Sequence, residues 1–164
     1  MGRRLFLVAL SLLAVSCGKT DIAPPIEWHD LATGERKARR TGKPAVVFFF
    51  ATWSAADMEL DRVTFPSPEV RTAMRDFIAI KIDASDDEKP ETKSAIARFD
   101  VKGVPTIIML DDFDRYPSAN GSYPRGNPYD LYRAYNALPP NQLAIYLRVA
   151  KREHDARASK PRQP

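Results

Sequence analysis

Seven consecutive apolar residues, Ala45-Val46-Val47-Phe48-Phe49-Phe50-Ala51, constrain this chain more than any other feature. The run is too short to cross a bilayer as a helix, which needs about 20 residues. It does not alternate apolar and polar, as a strand with one wet face does. Lys43-Pro44 opens it and Thr52-Trp53 follows it. Such a run reads as a strand buried on both faces, typical of the middle of a parallel or mixed sheet.

The flanking pattern agrees. Asp30 to Thr41 has the spacing of an amphipathic helix, with Asp30 near its start and Gly42 ending it. A second helix begins near Ala55, and Pro66 and Pro68 interrupt it before a further helical piece from Glu69 to Arg75. Phe77 to Asp83 reads as a second strand, and the acidic stretch Asp83 to Glu91 as a solvated loop before a helix from Thr92 to Phe99. Gly103-Val104-Pro105 is a sharp turn into a third strand, Thr106 to Leu110. Ser118 to Pro128 is an inserted loop rich in Gly, Pro and Asn. Leu131 to Tyr135 is an edge strand, and Pro139-Pro140 starts a last helix ending near Arg152. The order α-β-α-β-α-β-β-α predicts an α/β fold, a central mixed sheet flanked by helices.

The chain has 164 residues and a single cysteine. One cysteine closes no internal disulfide and runs no dithiol cycle, and with two histidines there is little to build a metal cage. No metal or cofactor is expected. Arg3-Arg4 and the apolar run Leu5 to Val15 read as a secretory signal. Ser16-Cys17 closes that run as a bacterial lipobox does, although Ala14 stands where that motif usually has Leu. The expected division is a lipoprotein signal over 1–16, a tether over 17–27 beginning at a lipidated Cys17, a domain over 28–152, and a disordered basic tail over 153–164. The formal charge is +4, but Arg3 and Arg4 together with the stretch Lys151 to Pro164 account for more than all of it and leave the folded body slightly acidic, so no nucleic-acid partner is expected.

Several strings resemble the thioredoxin superfamily, and most nearly the C-terminal periplasmic domain of the DsbD-type thiol:disulfide interchange proteins. They are Gly42-Lys43-Pro44, Ala51-Thr52-Trp53, Val63-Thr64-Phe65-Pro66-Ser67-Pro68-Glu69-Val70 and Val101-Lys102-Gly103-Val104-Pro105-Thr106. In order and spacing they cover roughly Trp28 to Arg148. The resemblance implies a thioredoxin-like fold, with Pro105 as a cis-proline facing the redox motif. It also implies a groove at Trp53, Ser54, Val104 and Pro105 where an extended peptide pairs with main chain.

The chain departs from the family where the chemistry lies. Where relatives have Trp-Cys-x-x-Cys, it has Trp53-Ser54-Ala55-Ala56-Asp57. Thiol–disulfide exchange needs a thiolate attacking a sulfur, and neither Ser54 nor Asp57 supplies one. Phe48 stands where many active relatives keep a buried carboxylate. Ser54-x-x-Asp57 resembles a helix-capping box instead. Neither histidine is placed to activate Ser54, so no catalytic residue is expected.

These readings predict a redox-inactive, lipid-anchored protein that binds an envelope protein or peptide on the periplasmic side. Gly18 is not the Asp associated with inner-membrane retention, which favours the outer membrane. Two alternatives follow from the same residues: a DsbD-like thiol:disulfide interchange role in periplasmic redox homeostasis, and an assembly subunit using the 118–128 insertion. Tyr116, Tyr123, Tyr129, Tyr132 and Tyr135 surround that insertion and are read as packing residues rather than a binding surface.

Overall fold

The computed structural model describes residues 23–113 and 130–159. The expected signal 1–16, Cys17, the insertion 118–128 and the last residues of the tail lie outside the described residues.

The apolar run forms β2 (Ala45–Phe50), the central strand of a five-stranded mixed sheet ordered β1-β3-β2-β4-β5. On one side it runs parallel to β3 (Ile78–Asp83), with Ala45 opposite Ile78 and Phe50 opposite Asp83. On the other it runs antiparallel to β4 (Thr106–Leu110), with Phe49 opposite Thr106 and Ala45 opposite Leu110. β5 (Asp130–Ala134) closes one edge against β4. The other edge is β1 (Trp28–His29), parallel to β3. Its two residues are too few to show a hydrophobic period, and it was not expected.

Successive residues of β2 point to opposite faces, and both faces are covered. Val46 and Phe48 join Leu60, Phe65, Val70, Leu143 and Leu147 in one cluster. Val47 and Phe49 join Ile80, Phe99, Ile108 and Phe113 in the other. Helices α3 (Pro68–Met74) and α5 (Pro140–Ala158) supply the first face. The second is covered by α1 (Leu31–Thr41) and α4 (Pro90–Arg98), which Arg98 joins through paired bonds of 2.7 and 3.0 Å to Glu35. Burial tends to push the Glu35 carboxyl up, but the Arg98 and Arg39 guanidinium groups outweigh it and hold it below the usual range.

The caps of α1 are those expected. The Asp30 carboxylate accepts from the Thr33 N–H at 2.8 Å, and Gly42, at φ 65°, donates its N–H to the Ala38 carbonyl. Two boundaries differ. Ala23 is buried and Ile26 packs on the core, while Arg71 Nε donates to the Pro24 carbonyl at 3.0 Å, so residues 23–27 are docked rather than tether. The last helix continues to Ala158 instead of fraying after Arg152. It is held by the i,i+4 pairs Lys151–Asp155 and Glu153–Arg157, and by His154 Nδ1 at 2.7 Å from Asp111 Oδ1. Of the tyrosines within the described residues, Tyr132 stacks on Tyr146 with ring centroids 4.1 Å apart and packs on the core, whereas Tyr135 is exposed.

Gly34 is where α1 meets β3. A Cβ there would overlap Ile80 Cγ1 and approach Ile80 Cδ1 to 2.7 Å, and Ile80 is fully buried. Gly34→Ala is therefore expected to lower unfolding free energy by about 1–3 kcal/mol despite alanine's better helix propensity. Urea denaturation checks this; an unchanged or raised midpoint would show that α1 lifts off the sheet freely.

Candidate functional site

β2 ends at Phe50, and the chain turns through Ala51-Thr52-Trp53-Ser54 into α2 (Ala55–Glu59). A π-helical turn, Leu60–Thr64, extends α2 and is closed by the Phe65 N–H donating to the Leu60 carbonyl at 2.8 Å. Such turns recur beside functional sites. The loop is tied to the end of β3: the Thr52 N–H donates to Ser85 Oγ at 2.8 Å and Trp53 Nε1 to the Ser85 carbonyl at 3.4 Å. The Trp53 side chain nonetheless stands out, 69% exposed, with Met58 also exposed one turn on.

The antiparallel register puts the start of β4 beside the end of β2. The Val104–Pro105 peptide, immediately before β4, is cis. Pro105 is buried and Val104 half-buried. Val104 makes no backbone hydrogen bond among the described residues. Trp53, Ser54, Val104 and Pro105 thus lie at one end of two neighbouring strands.

Ser54 and Asp57 do more than the sequence suggested. Ser54 is an N-cap, its Oγ accepting from the Asp57 N–H at 3.3 Å. Asp57, 1% exposed, does not reach back to the Ser54 N–H as a capping box requires. Its Oδ2 accepts from the Ala51 N–H at 3.0 Å, and its Oδ1 is buried with no hydrogen-bond partner. Burial pushes the carboxyl above its ordinary range. The Ala51 N–H and the Ser54 hydroxyl oppose that rise, as does Lys81, while the charge on Asp61 adds to it. Phe48 packs among Trp28 and Phe65, as expected of a residue replacing a carboxylate. The buried carboxylate has not vanished, however: Asp57 carries one at the second lost cysteine position.

Two further residues complete the surroundings. Lys81 on β3 pairs with Asp61 at 2.6 and 2.8 Å and lies 4.3 Å from the Phe50 ring centroid. As a lone charge inside the apolar strand Phe77 to Ile82, it carried a signal in the sequence. Ser85 carried none, because its role depends on the tertiary turn. Neither histidine bonds to Ser54: His29 contacts Lys37 and lies near Glu27, and His154 contacts Asp111. Among the described residues no three metal-ligating side chains gather, and no helix is long and apolar enough to cross a membrane.

The sheet, its flanking helices and the cis-proline turn make the fold thioredoxin-like. The chain superposes on a thioredoxin from Thermus thermophilus with a TM-score of 0.63, at 17% identity, covering 83% of this chain and 95% of that one. It superposes on the C-terminal domain of Neisseria meningitidis DsbD in its oxidised form with a TM-score of 0.53, at 19% identity, covering 71% and 89%. In sequence it is DsbD-related: 76 residues are 32% identical to the thiol:disulfide interchange protein DsbD of Ralstonia nicotianae, 46% of this chain but 12% of that protein. No family model matches the chain.

Two substitutions separate the roles of cap and carboxylate. Ser54→Ala is expected to cost about 1 kcal/mol through the lost cap, and somewhat more once Asp57 ionises, because the Ser54 hydroxyl also favours that anion. Asp57→Asn is expected to stabilise the protein near neutral pH by about 1 kcal/mol, by removing a buried, under-bonded charge. Because the folded state raises the Asp57 pKa, wild type loses this contribution as pH rises from the unfolded carboxyl range, about 3.9, through the raised value, and does not regain it above. The stability gap between Asp57→Asn and wild type therefore widens with pH and then levels off. Thermal melts across that range check it; a gap of opposite slope would mean that Asp57 is stabilised as the anion.

Proposed function

We propose that this protein is a periplasm-facing lipoprotein of the bacterial cell envelope, anchored through Cys17, that binds an extended protein segment without redox chemistry. Its binding site is the groove of Trp53, Ser54, Val104 and Pro105. The observation that carries this reading is Val104, whose main chain has no backbone partner among the described residues, beside a Trp53 that exposes 69% of its surface. Backbone N–H and C=O groups are nearly always paired once buried. A segment added alongside Val104 would pair them and cover the indole, as in strand addition. Ser54 and Asp57 leave no thiolate for exchange, and the one cysteine of the chain is the proposed lipid attachment site. The DsbD relationship supports the periplasmic address, and the Ser16-Cys17 motif supports the anchor.

The assembly-subunit reading uses a different part of the molecule. Leu110, where β4 ends, pairs with Ala45, where β2 begins, and with Asp130, where β5 begins, so the described strands on either side of 114–129 meet at the end of the sheet away from Trp53.

A photo-cross-linking residue in place of Met58, exposed one turn beyond Trp53, is expected to capture one main envelope partner, and the same residue at Arg40, beyond the other end of β2, is expected not to. Identical partners from both positions would remove the groove from consideration. Trp53→Ala should weaken that partner at least tenfold, as truncating a central aromatic anchor does. The lipid-free chain should leave the rate of insulin disulfide reduction at the no-protein value, and a higher rate would refute the non-redox reading.

A further inference from the structure

A second concavity lies at the opposite end of the sheet from Trp53. It is a cavity of about 220 Å³ between the docked residues before β1, the end of α3 and the start of β3. Its apolar wall includes Ile26, Met74 and Phe77, and Lys37, Lys43 and Arg71 stand around it. Lys37 is committed to Glu27 at 3.1 Å. Lys43 donates only to the Arg75 carbonyl, at 3.3 Å, and Arg71 only to the Pro24 carbonyl, at 3.0 Å. Neither has an acidic partner among the described residues. Two cations without counter-charges beside an apolar wall match an amphiphile with an anionic head.

Chain length points to the source of that amphiphile. Pro24 and Pro25 line the same cavity, and Cys17 precedes Ala23 by six residues. Fully extended, six residues span at most about 20 Å. A lipid on Cys17 would hold this mouth no farther than that from the headgroups.

We propose that this cavity is a docking site for the headgroup of an anionic phospholipid, with Lys43 and Arg71 on the phosphate and the apolar wall against its ester carbons. The orientation rests on the Cys17 anchor proposed above, but the binding chemistry does not. Docking would turn Trp53 and Val104 away from the membrane.

The test uses the chain from Cys17 onward with Cys17→Ser, so that no acyl chain attaches. This chain keeps every described residue and both core clusters. Co-sedimentation is measured with phosphatidylglycerol vesicles and with phosphatidylcholine vesicles. Binding is expected to phosphatidylglycerol only, and Lys43→Gln/Arg71→Gln should lower it about 30-fold for two basic contacts. Arg148→Gln/Arg152→Gln, an equal loss of charge on the exposed face of α5, should change it less than threefold. Equal losses in the two variants would show diffuse attraction and overturn the site. So would competition by soluble glycerol phosphate at concentrations comparable to the lipid, which would assign the cavity to a free metabolite. Matching melting temperatures for the two variants exclude misfolding as the cause. Failure of labelled palmitate to attach to wild type in cells would remove the anchor alone and leave this binding result standing.

Discussion

Burial of β2 on both faces is the constraint from which the rest of the structure follows. A strand with no wet face must be flanked by strands on both sides and roofed by helices on both faces, or its backbone and side chains are left unsatisfied. Here that requirement is met by β3 running parallel and β4 antiparallel. The mixed pairing has a geometric result: the carboxyl end of β2 meets the amino end of β4. The loop through Trp53 and the turn through Pro105 are therefore neighbours because of strand register, not because of any contact between their side chains. Keeping the core of β2 keeps these two segments side by side, even with no cysteine at 54 or 57.

The residues that replace those cysteines do not simply optimise stability. A serine N-cap contributes about 1 kcal/mol, and a buried carboxylate with one unpaired oxygen costs about 1–3 kcal/mol. The second figure is at least as large as the first, so the Ser54–Asp57 pair gains the fold little or nothing. A small apolar residue at 57 would avoid that cost but would leave the buried Ala51 N–H without its acceptor. What Asp57 provides is order: its Oδ2 holds the Ala51 N–H, Ser54 N–H donates to the Ala51 carbonyl, and Ser85 holds Thr52 and Trp53. The former redox loop is pinned in one conformation with its indole outward. A rigid exposed aromatic loses little entropy on binding a partner, which is the setting in which such side chains contribute most.

Much of this could be read from the residues. β2, β4, the caps Asp30 and Gly42, and the Ser54 cap each have a local cause: an apolar run, a hydrogen-bonding side chain, a glycine in the left-handed region. What escaped has causes distant in sequence. β1 exists because two residues pair with Ala79 and Ile80. Gly34 looks like an ordinary weak point in a helix until Ile80 is placed against it. The residues past Arg152 read as a tail because they are polar, yet alternating charges four apart and an aspartate 43 residues away hold them in the helix. The spacing of Asp57 predicts a capping box, and only the packed loop shows its carboxylate reaching past Ser54 to Ala51.

The same register that sets Trp53 beside Pro105 also sorts the rest of the described chain. Ala23 enters beside the basic cavity, β4 ends and β5 begins level with the start of β2, and α5 brings His154 and Arg157 to Asp111 just past Leu110. Thus the connections to residues 1–22, 114–129 and 160–164 all leave from the region opposite Trp53. The strands between are five or six residues long, a separation of roughly 20 Å. On the assignment proposed above, the Cys17 anchor joins the domain at Ala23 and the Trp53 groove opens at the other end of the same close-packed sheet, so neither needs to distort the other.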